Sequence, residues 1–220
     1  MPTCLVPTAE AAFIAGLTDR QMNRVVDERL VPDALFEQQG NVRRFTRLCA
    51  AFATFYFDTE PLLVAAARRH VLEELTQRVE QLSASNDVLA LVALPPTLSW
   101  KVARFAVEID VTSYVQGAFV RAREVDQAGT LVTADPEVMG GTPVFAGTRV
   151  PIEIVLGSLA VDIDMDRLKA SYPFLTEAHV QAAKVHEEIH PRRGRPRRIA
   201  ETHPGLTRRV TRVVRHAPAA

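Results

Sequence analysis

The chain has 220 residues, of which 47% are hydrophobic and 24% are charged, and its 26 basic and 26 acidic side chains give a formal net charge of zero. This length suits one large domain or two small ones, and the composition is that of a water-soluble globular protein. No apolar run reaches the roughly 18 residues that span a bilayer, and the N-terminus has no signal-peptide pattern, so we expect neither a membrane protein nor a secreted one. Cys4 and Cys49 form no CxxC pair, which favours reduced, ordinarily packed cysteines in a cytoplasmic protein.

The first predicted elements are two short helices separated by a tight turn. Thr8–Gly16 is predicted to be a helix with a face of alanines, and Asp19–Arg29 to be a second helix with Thr18 as its N-cap. The buried face of the second helix would consist of Met22, Val25 and Val26. This succession is typical of a helix-turn-helix unit that binds DNA.

The polar face of the second helix carries side chains that suit base edges in the major groove. We predict that this region contacts DNA through Thr18, Arg20, Gln21, Asn23 and Arg24. Leu30–Phe45 predicts a β-hairpin wing with its tip at Gln38–Asn41, and Arg43 and Arg44 on this wing would contact phosphates. A helical hairpin that binds protein is the alternative, because residues 1–60 hold six arginines against eight acids.

The stretch Val6–Phe55 resembles winged MerR-type domains and the DNA-binding half of one subgroup of VapB antitoxins. This resemblance implies that the helix Asp19–Arg29 reads an operator. A single module of this kind binds weakly, so we expect a homodimer, in which paired half-sites strengthen binding to double-stranded DNA.

The middle of the chain predicts further helices and some strands from the spacing of its apolar residues. We expect helices at Thr46–Phe57 and Pro61–Leu82, a linker at Ser83–Asp87, strands at Val88–Leu94 and Arg104–Asp110, a helix from Thr112 to about Gln127 that ends at Gly129, and a strand at Thr130–Ala134.

Residues Asp135–Pro151 read DPEVMGGTPVFAGTRVP and combine turn-forming residues with apolar ones. Gly141 and Gly147 can supply a positive φ, while prolines such as Pro143 fix φ near −65°. The pattern therefore predicts a tightly specified turn and hairpin, in which the bend after Gly147 presents Arg149. We expect Arg149 to clamp backbone carbonyls or a carboxylate within the fold, and contact with a partner is the alternative.

This stretch resembles the signature of a small helical domain known as domain of unknown function four-three-three, over about Thr130 to Ile189. The residues that carry the resemblance are Gly141, Pro143, Gly147, Thr148, Arg149 and Pro151, with Tyr172-Pro173 and Leu175-Thr176 further on. The helices expected after it are Ile152–Ala160, Met165–Tyr172 and a longer one from Thr176 to Ile189. The domain often occurs in antitoxins, so the resemblance implies binding and regulation, with no catalytic residue to carry over.

His186 to His190 matches the zinc-protease pattern H-E-x-x-H. Two histidines four residues apart share a helix face, and Glu187 could act as the base. However, Pro191 follows at once and five arginines lie within the next eight residues. We therefore predict no metal site, and expect both histidines to face solvent near the negative end of a helix.

Residues 191–220 hold nine arginines and one acid, a net charge of +8, so the other 189 residues carry −8. The resemblance to VapB antitoxins implies a PIN-domain ribonuclease of the VapC type as partner, whose acidic Mg²⁺ site an arginine of this tail would enter. The arginines expected to bind the toxin are Arg192, Arg193, Arg195, Arg197 and Arg198. Two alternatives remain: Arg193–Pro196 matches a minor-groove AT-hook, and the tail can simply be solvated.

Together these patterns predict a mainly α fold with small β elements, an N-terminal winged helix-turn-helix plus a C-terminal small helical domain with a β-hairpin. We divide the chain into a DNA-binding domain with a helical extension (1–84), a linking strand-helix segment (85–129), an antitoxin-type domain (130–190) and a basic flexible tail (191–220). The predicted function is an antitoxin of a type II toxin-antitoxin system that represses its own operon. The alternative is a transcriptional regulator without a toxin partner. No enzyme activity and no cofactor are predicted.

Overall fold

The computed structural model describes residues 5–104 and 106–190. Nine helices run through these residues: α1 (Thr8–Ala15), α2 (Asp19–Asp27), α3 (Arg47–Asp58), α4 (Ala65–Glu80), α5 (Ser85–Leu89), α6 (Thr112–Leu131), α7 (Ile152–Ala160), α8 (Met165–Ser171) and α9 (Glu177–Ile189). Within this described part, no helix combines the length and the apolarity needed to cross a membrane.

Short strands form three small antiparallel sheets. The strands are β1 (Val6–Pro7), β2 (Phe36–Gln39), β3 (Val42–Phe45), β4 (Lys101–Arg104), β5 (Val107–Asp110), β6 (Val132–Thr133) and β7 (Val144–Phe145). The first sheet has the order β1-β3-β2, while β4 pairs with β5 and β6 pairs with β7. The prediction of a mainly α fold with small β elements is therefore confirmed.

The two predicted N-terminal helices are present as α1 and α2. Gly16 ends α1 in the left-handed region, with a φ of 66°, and its N–H returns to the carbonyls of the last turn. A side chain at this position would also meet the guanidinium of Arg121, since a Cβ built on Gly16 lies 2.1 Å from the Arg121 Nη1. The positive φ therefore favours glycine here, and any side chain would also have to displace the flexible end of Arg121.

The β-hairpin predicted within Leu30–Phe45 is present as β2 and β3. Gln39 pairs with Val42 across a turn in which Gly40 has a φ of 59°, so the tip falls where the sequence indicates it. The sequence gives no sign of β1, which pairs with β3 along Val6 and Pro7 and joins the wing to the start of α1.

The buried helix α3 lies at the centre of the fold, in contact with α1, α2, α4, α5 and α6. Nearly all its side chains are buried, which fits a sequence that is apolar on every side. Its aromatic residues pack edge-on against other elements: Phe52 against Trp100 and Phe55 against Tyr114. Packing in this centre joins the N-terminal elements to α6.

A partly buried ion cluster joins α1, α3 and α6. Arg47 donates hydrogen bonds to the Glu10 carboxylate at 2.9 and 3.1 Å and to the Asp126 carboxylate at 2.7 Å. Burial by itself would lower the pKa of the Arg47 guanidinium, but the hydrogen bonds and charges of Asp126 and Glu10 outweigh it and raise that pKa overall. Three helices that are distant in sequence are thereby fixed through a single side chain.

The middle of the chain departs from the sequence-based expectation in four places. The predicted strand Arg104–Asp110 is divided between the end of β4 and β5 (Val107–Asp110), and β4 was not predicted. Val88–Leu94 is not a strand, because α5 covers Ser85–Leu89 and extends into the predicted linker. Helix α4 begins at Ala65, four residues later than expected, and α6 continues through Gly129 to Leu131. Gly129 faces open space within the helix, so nothing forces a break there.

The C-terminal elements follow the predicted order. Asp164 caps α8 by accepting a hydrogen bond from the Arg167 N–H, and Thr176 caps α9 by accepting one from the His179 N–H. Helix α7 begins at Ile152 as predicted, and Pro151 is its N-cap. Helix α9 packs along α6 and also contacts α7 and α1, which brings the C-terminal elements against the central helices.

Candidate nucleic-acid interface and histidine cleft

Helix α2 has the apolar back and polar front that the sequence predicts. Met22, Val25 and Val26 are buried against the fold. On the opposite side, Arg20 and Arg24 are exposed, while Gln21 and Asn23 are half-buried. The helix therefore presents Arg20 and Arg24 to solvent.

The predicted N-cap at Thr18 is confirmed, and Gln21 completes it as a capping box, a role that was not predicted for Gln21. The Thr18 hydroxyl accepts from the Gln21 N–H at 3.3 Å, and the Gln21 side-chain oxygen accepts from the Thr18 N–H at 3.0 Å. The signal was present as Thr-x-x-Gln at the start of the helix. The side-chain oxygen of Gln21 is thus engaged in holding the helix end, and its amide nitrogen is the part left to meet a ligand.

Arg24 and Arg43 are both paired with carboxylates at the C-terminal end of α2, Glu28 being its C-cap. Arg24 donates to Glu28 at 2.7 and 3.1 Å, and its guanidinium lies 5.5 Å from the centre of the Phe57 ring. The hydrogen bond and the charge of Glu28 raise the pKa of Arg24, and the same contact lowers the pKa of Glu28. Arg43 donates to Asp27 at 2.5 Å and links the hairpin to α2.

Arg20 and Arg44 are the exposed arginines of this surface that carry no such partner. Both side chains are exposed, and no hydrogen bond or ion pair joins either of them to the residues that the structure describes. Arg44 lies on β3 opposite Glu37 of β2. Of the arginines predicted to contact DNA, these two can meet a phosphate without first breaking an internal ion pair.

The loop between β7 and α7 is closed by its own hydrogen bonds. The Phe145 carbonyl accepts from the N–H and the hydroxyl of Thr148 at 3.0 and 2.8 Å, and the Val150 N–H donates to the Thr148 hydroxyl at 3.1 Å. Gly147 has a φ of 73° and Gly141 a φ of 83°, as the pattern predicts. Thr148 therefore has a structural role in this bend.

The predicted clamp at Arg149 is not found. Its side chain is exposed and forms no hydrogen bond or ion pair with any described residue. The loop is held by Thr148 and by the bridge between Val144 and Pro151, so no arginine is needed to close it. Arg149 is instead presented outward by a rigid bend, which leaves contact with a partner as the remaining interpretation.

A cleft with a volume of about 230 Å³ opens between the residues that flank β7 and begin α7 and the end of α9. We call it the histidine cleft. It is lined by Thr142, Pro143, Ile152, Glu153, His186, Glu187 and His190. The hydrogen bond from the Ile152 N–H to the Pro143 carbonyl, at 3.1 Å, fixes the wall that faces α9.

The two histidines of the H-E-x-x-H pattern stack on each other within this cleft. Their ring centres are 4.4 Å apart with an angle of 25° between the rings, and the His190 Nδ1 lies 3.2 Å from the His186 carbonyl oxygen. His190 is exposed, but His186 is half-buried, so the expectation that both face solvent is wrong for His186. Burial, followed by the charge of His190, lowers the pKa of His186 to about 4.

The stacked arrangement does not gather metal ligands. Facing rings direct their nitrogens away from a common point, and among the described residues no group of three or more His, Cys, Asp or Glu side chains is placed to hold a metal ion. The arginines predicted to bind a toxin, from Arg192 to Arg198, lie outside the described residues, as does Cys4. Cys49 is buried in α3 as a free thiol.

Comparisons with known proteins agree with the C-terminal part of the sequence analysis. Residues 132–185 match the family described as Protein of unknown function (DUF433), which confirms the resemblance inferred from the signature. The chain is also 30% identical, over 198 residues, to the uncharacterized protein y4eO of Sinorhizobium fredii (strain NBRC 101917 / NGR234), covering 88% of this chain and 85% of that relative. No solved structure matches the chain at a significant level.

Proposed function

We propose that this chain, which belongs to the family of the uncharacterized protein y4eO, is a DNA-binding antitoxin. The N-terminal region binds operator DNA as a homodimer, and the C-terminal region with its basic tail binds a PIN-domain ribonuclease toxin. The observation that carries the DNA-binding half is the succession of α1, a glycine turn, α2 and a β-hairpin, with arginines exposed on α2 and β3.

The dimensions of this succession support binding in a major groove. Helix α2 has nine residues, a length of about 14 Å at 1.5 Å per residue, and its N-terminal turn exposes Arg20. In a winged arrangement, such a helix reads base edges while the hairpin lies against the backbone. Arg44 on β3 is the side chain best placed for a phosphate, because it has no ion-pair partner in the described part of the chain.

The ion pairs that Arg24 and Arg43 form within the chain limit how strongly this interface binds DNA. Each of these arginines already shares its charge with Glu28 or Asp27, so the gain from a phosphate contact is smaller than for a free arginine. Weak binding by one copy follows, and it supports a homodimer on paired half-sites as the active form.

Two features support the antitoxin half. The match to the DUF433 family covers the loop that presents Arg149, and the antitoxins that this signature resembles bind proteins. Ile154 on helix α7 is 46% exposed, and Val161, the C-cap of that helix, is 70% exposed. Exposed apolar side chains in the same region as an exposed arginine suit contact with another protein.

Binding to the promoter of the gene itself tests the DNA half. We expect Arg20→Ala and Arg44→Ala each to weaken binding, and the loss of a phosphate contact at Arg44 to reduce the salt slope by about one unit. Arg167→Ala is the matched control, because Arg167 is an exposed arginine on α8. Fluorescence anisotropy with labelled duplex measures both effects, and equal binding by all three variants would contradict the proposed interface.

A stand-alone regulator remains the second candidate, because the DNA-binding elements do not require a toxin. A short gene for a PIN-type protein beside this one distinguishes the two. Co-expression of the neighbouring gene product with the full chain, followed by purification, is expected to yield a complex in which ribonuclease activity is absent. Failure to form a complex would leave the regulator as the function.

A further inference from the structure

The two arginines of β3 lie on opposite faces of the hairpin. Successive residues of a strand point to opposite sides, so Arg43 shares its face with Phe45 and Arg44 does not. Phe45 is completely buried, which identifies the face of Arg43 as the one turned toward the fold. Arg44 is exposed on the outer face. A surface that meets DNA through Arg44 therefore does not present Arg43 beside it.

The guanidinium of Arg43 is engaged on the inner side of the hairpin. Its Nη2 donates to the Asp27 carboxylate at 2.5 Å, and its Nε is buried without a hydrogen-bond partner among the described residues. The Arg43 side chain keeps 21% of its surface exposed. Arginine binds a phosphate best with a free fork of two N–H groups, and the fork of Nε and Nη2 is not free here. Arg43 is therefore poorly placed to contact a phosphate.

The contact joins two elements that have to meet the duplex at the same time. Asp27 is the last residue of α2, and Arg43 lies 16 positions further along the chain, on the hairpin. Base contacts from α2 and a phosphate contact from Arg44 require a fixed spacing between the helix and the hairpin. A contact that holds this spacing before DNA arrives lowers the ordering cost of binding.

We propose that Arg43 is a positioning residue, which holds the hairpin against α2 through Asp27 so that α2 and Arg44 reach the duplex together. This inference rests on the proposed DNA-binding function. Of the two hairpin arginines, it assigns the phosphate contact to Arg44 alone.

A double-mutant cycle in affinity for the promoter duplex tests this role. Arg43→Ala and Asp27→Ala are each expected to weaken binding about threefold to fivefold, as for the loss of one partly exposed ion pair. The double variant should bind no worse than either single one, because all three lack the same contact. If Arg43 instead binds a phosphate, Asp27→Ala frees it and removes an acid near the DNA, so this variant binds more tightly.

The matched control for Asp27→Ala is Glu37→Ala. Glu37 is an exposed acid of the hairpin that forms no ion pair with the described residues, so its loss should leave the affinity unchanged or raise it. An acid in the last turn of a helix is unfavourable, so Asp27→Ala does not weaken α2 through its dipole. Weaker binding by Asp27→Ala alone then reports the lost contact with Arg43.

The salt dependence of binding separates positioning from direct contact. Arg43→Ala should leave the slope of log affinity against log salt unchanged, whereas Arg44→Ala should reduce it by about one unit. Hydrogen exchange without DNA reads the contact itself. Arg43→Ala and Asp27→Ala should each speed the exchange of amides in Phe36–Phe45 about threefold, while Arg44→Ala should not. Thermal melting followed by circular dichroism checks that each variant is folded.

Three results would overturn the proposal: tighter binding by Asp27→Ala, a salt slope reduced by about one unit in Arg43→Ala, or unchanged exchange in the hairpin of both variants. If the wild-type chain does not bind its promoter, the proposed DNA-binding function fails and the role of Arg43 fails with it. Wild-type binding that weakens with Arg20→Ala and does not respond to Arg43→Ala refutes the role of Arg43 only.

Discussion

Replacing Arg47 by methionine is the most direct test of how the fold is held together. Arg47 and Glu10 keep only 9% and 15% of their side-chain surface exposed, so the change leaves the Glu10 carboxylate nearly buried without its partner. Breaking a buried pair from one side costs about 3–5 kcal/mol, and the remaining exposure of Glu10 places the expected loss near the lower end, at about 3 kcal/mol. Methionine approximates the length of the aliphatic part of arginine, which limits the loss of packing.

Urea unfolding followed by circular dichroism measures this loss. Asp126→Asn is the matched comparison, because Asp126 contacts the same guanidinium but remains 53% exposed, and an exposed pair contributes under about 1 kcal/mol. Adding Glu10→Gln to the methionine variant removes the stranded charge and should restore part of the stability, with a coupling of about 1–3 kcal/mol. If Arg47→Met destabilises the protein no more than Asp126→Asn does, the cluster does not join the three helices as described.

Three further outcomes follow from single residues. Burial raises the pKa of the Cys49 thiol, so thiol reagents should modify Cys49 only after the protein unfolds. Peptide mapping that finds Cys49 labelled in the native protein would refute its burial. Gly147→Ala should lower the free energy of unfolding by roughly 1–2 kcal/mol because of the positive φ of Gly147, whereas Gly157→Ala inside α7 should raise it by about 0.5–1 kcal/mol. Denaturation curves in which both variants change the free energy of unfolding in the same direction would be inconsistent with the bend. The pKa of His186 falls from its ordinary 6.5 to about 4 on folding, so the unfolded chain binds more protons between these values and stability decreases as pH falls from about 6.5 to about 4. His186→Gln should flatten that part of the stability curve, and an unchanged slope would refute the burial of the ring.

Local chemistry made much of the fold predictable. The caps at Thr18, Asp164 and Thr176 each depend on a hydrogen bond three residues away, and the wing depends on a turn whose glycine the sequence displays. The error at Val88–Leu94 has a local cause too. A short apolar run has no period that separates a strand from a buried helical turn. Val88 is buried in α5, and Leu91 is buried just beyond its end.

The candidate sites were less predictable, because they depend on residues far apart in sequence. The pairs of Asp27 with Arg43 and of Arg47 with Asp126 span 16 and 79 positions, and nothing in the local pattern marks them. The H-E-x-x-H pattern marks His186 in the sequence. The cleft, however, depends on the segment before β7, which places Thr142 beside α9. Arg149 was expected to close its loop, and that work is done by Thr148.

Helix α6 has a consequence for any attempt to divide this protein. It packs on α1, α3 and α9, and Arg121 reaches from it to the Phe13 carbonyl at the end of α1. A fragment that stops before α9 would leave one flank of α6 bare in water, and a fragment that starts after α6 would strip α9 of its largest packing partner. Each half therefore needs another packing partner in place of the missing helix before it can be studied as an isolated fragment.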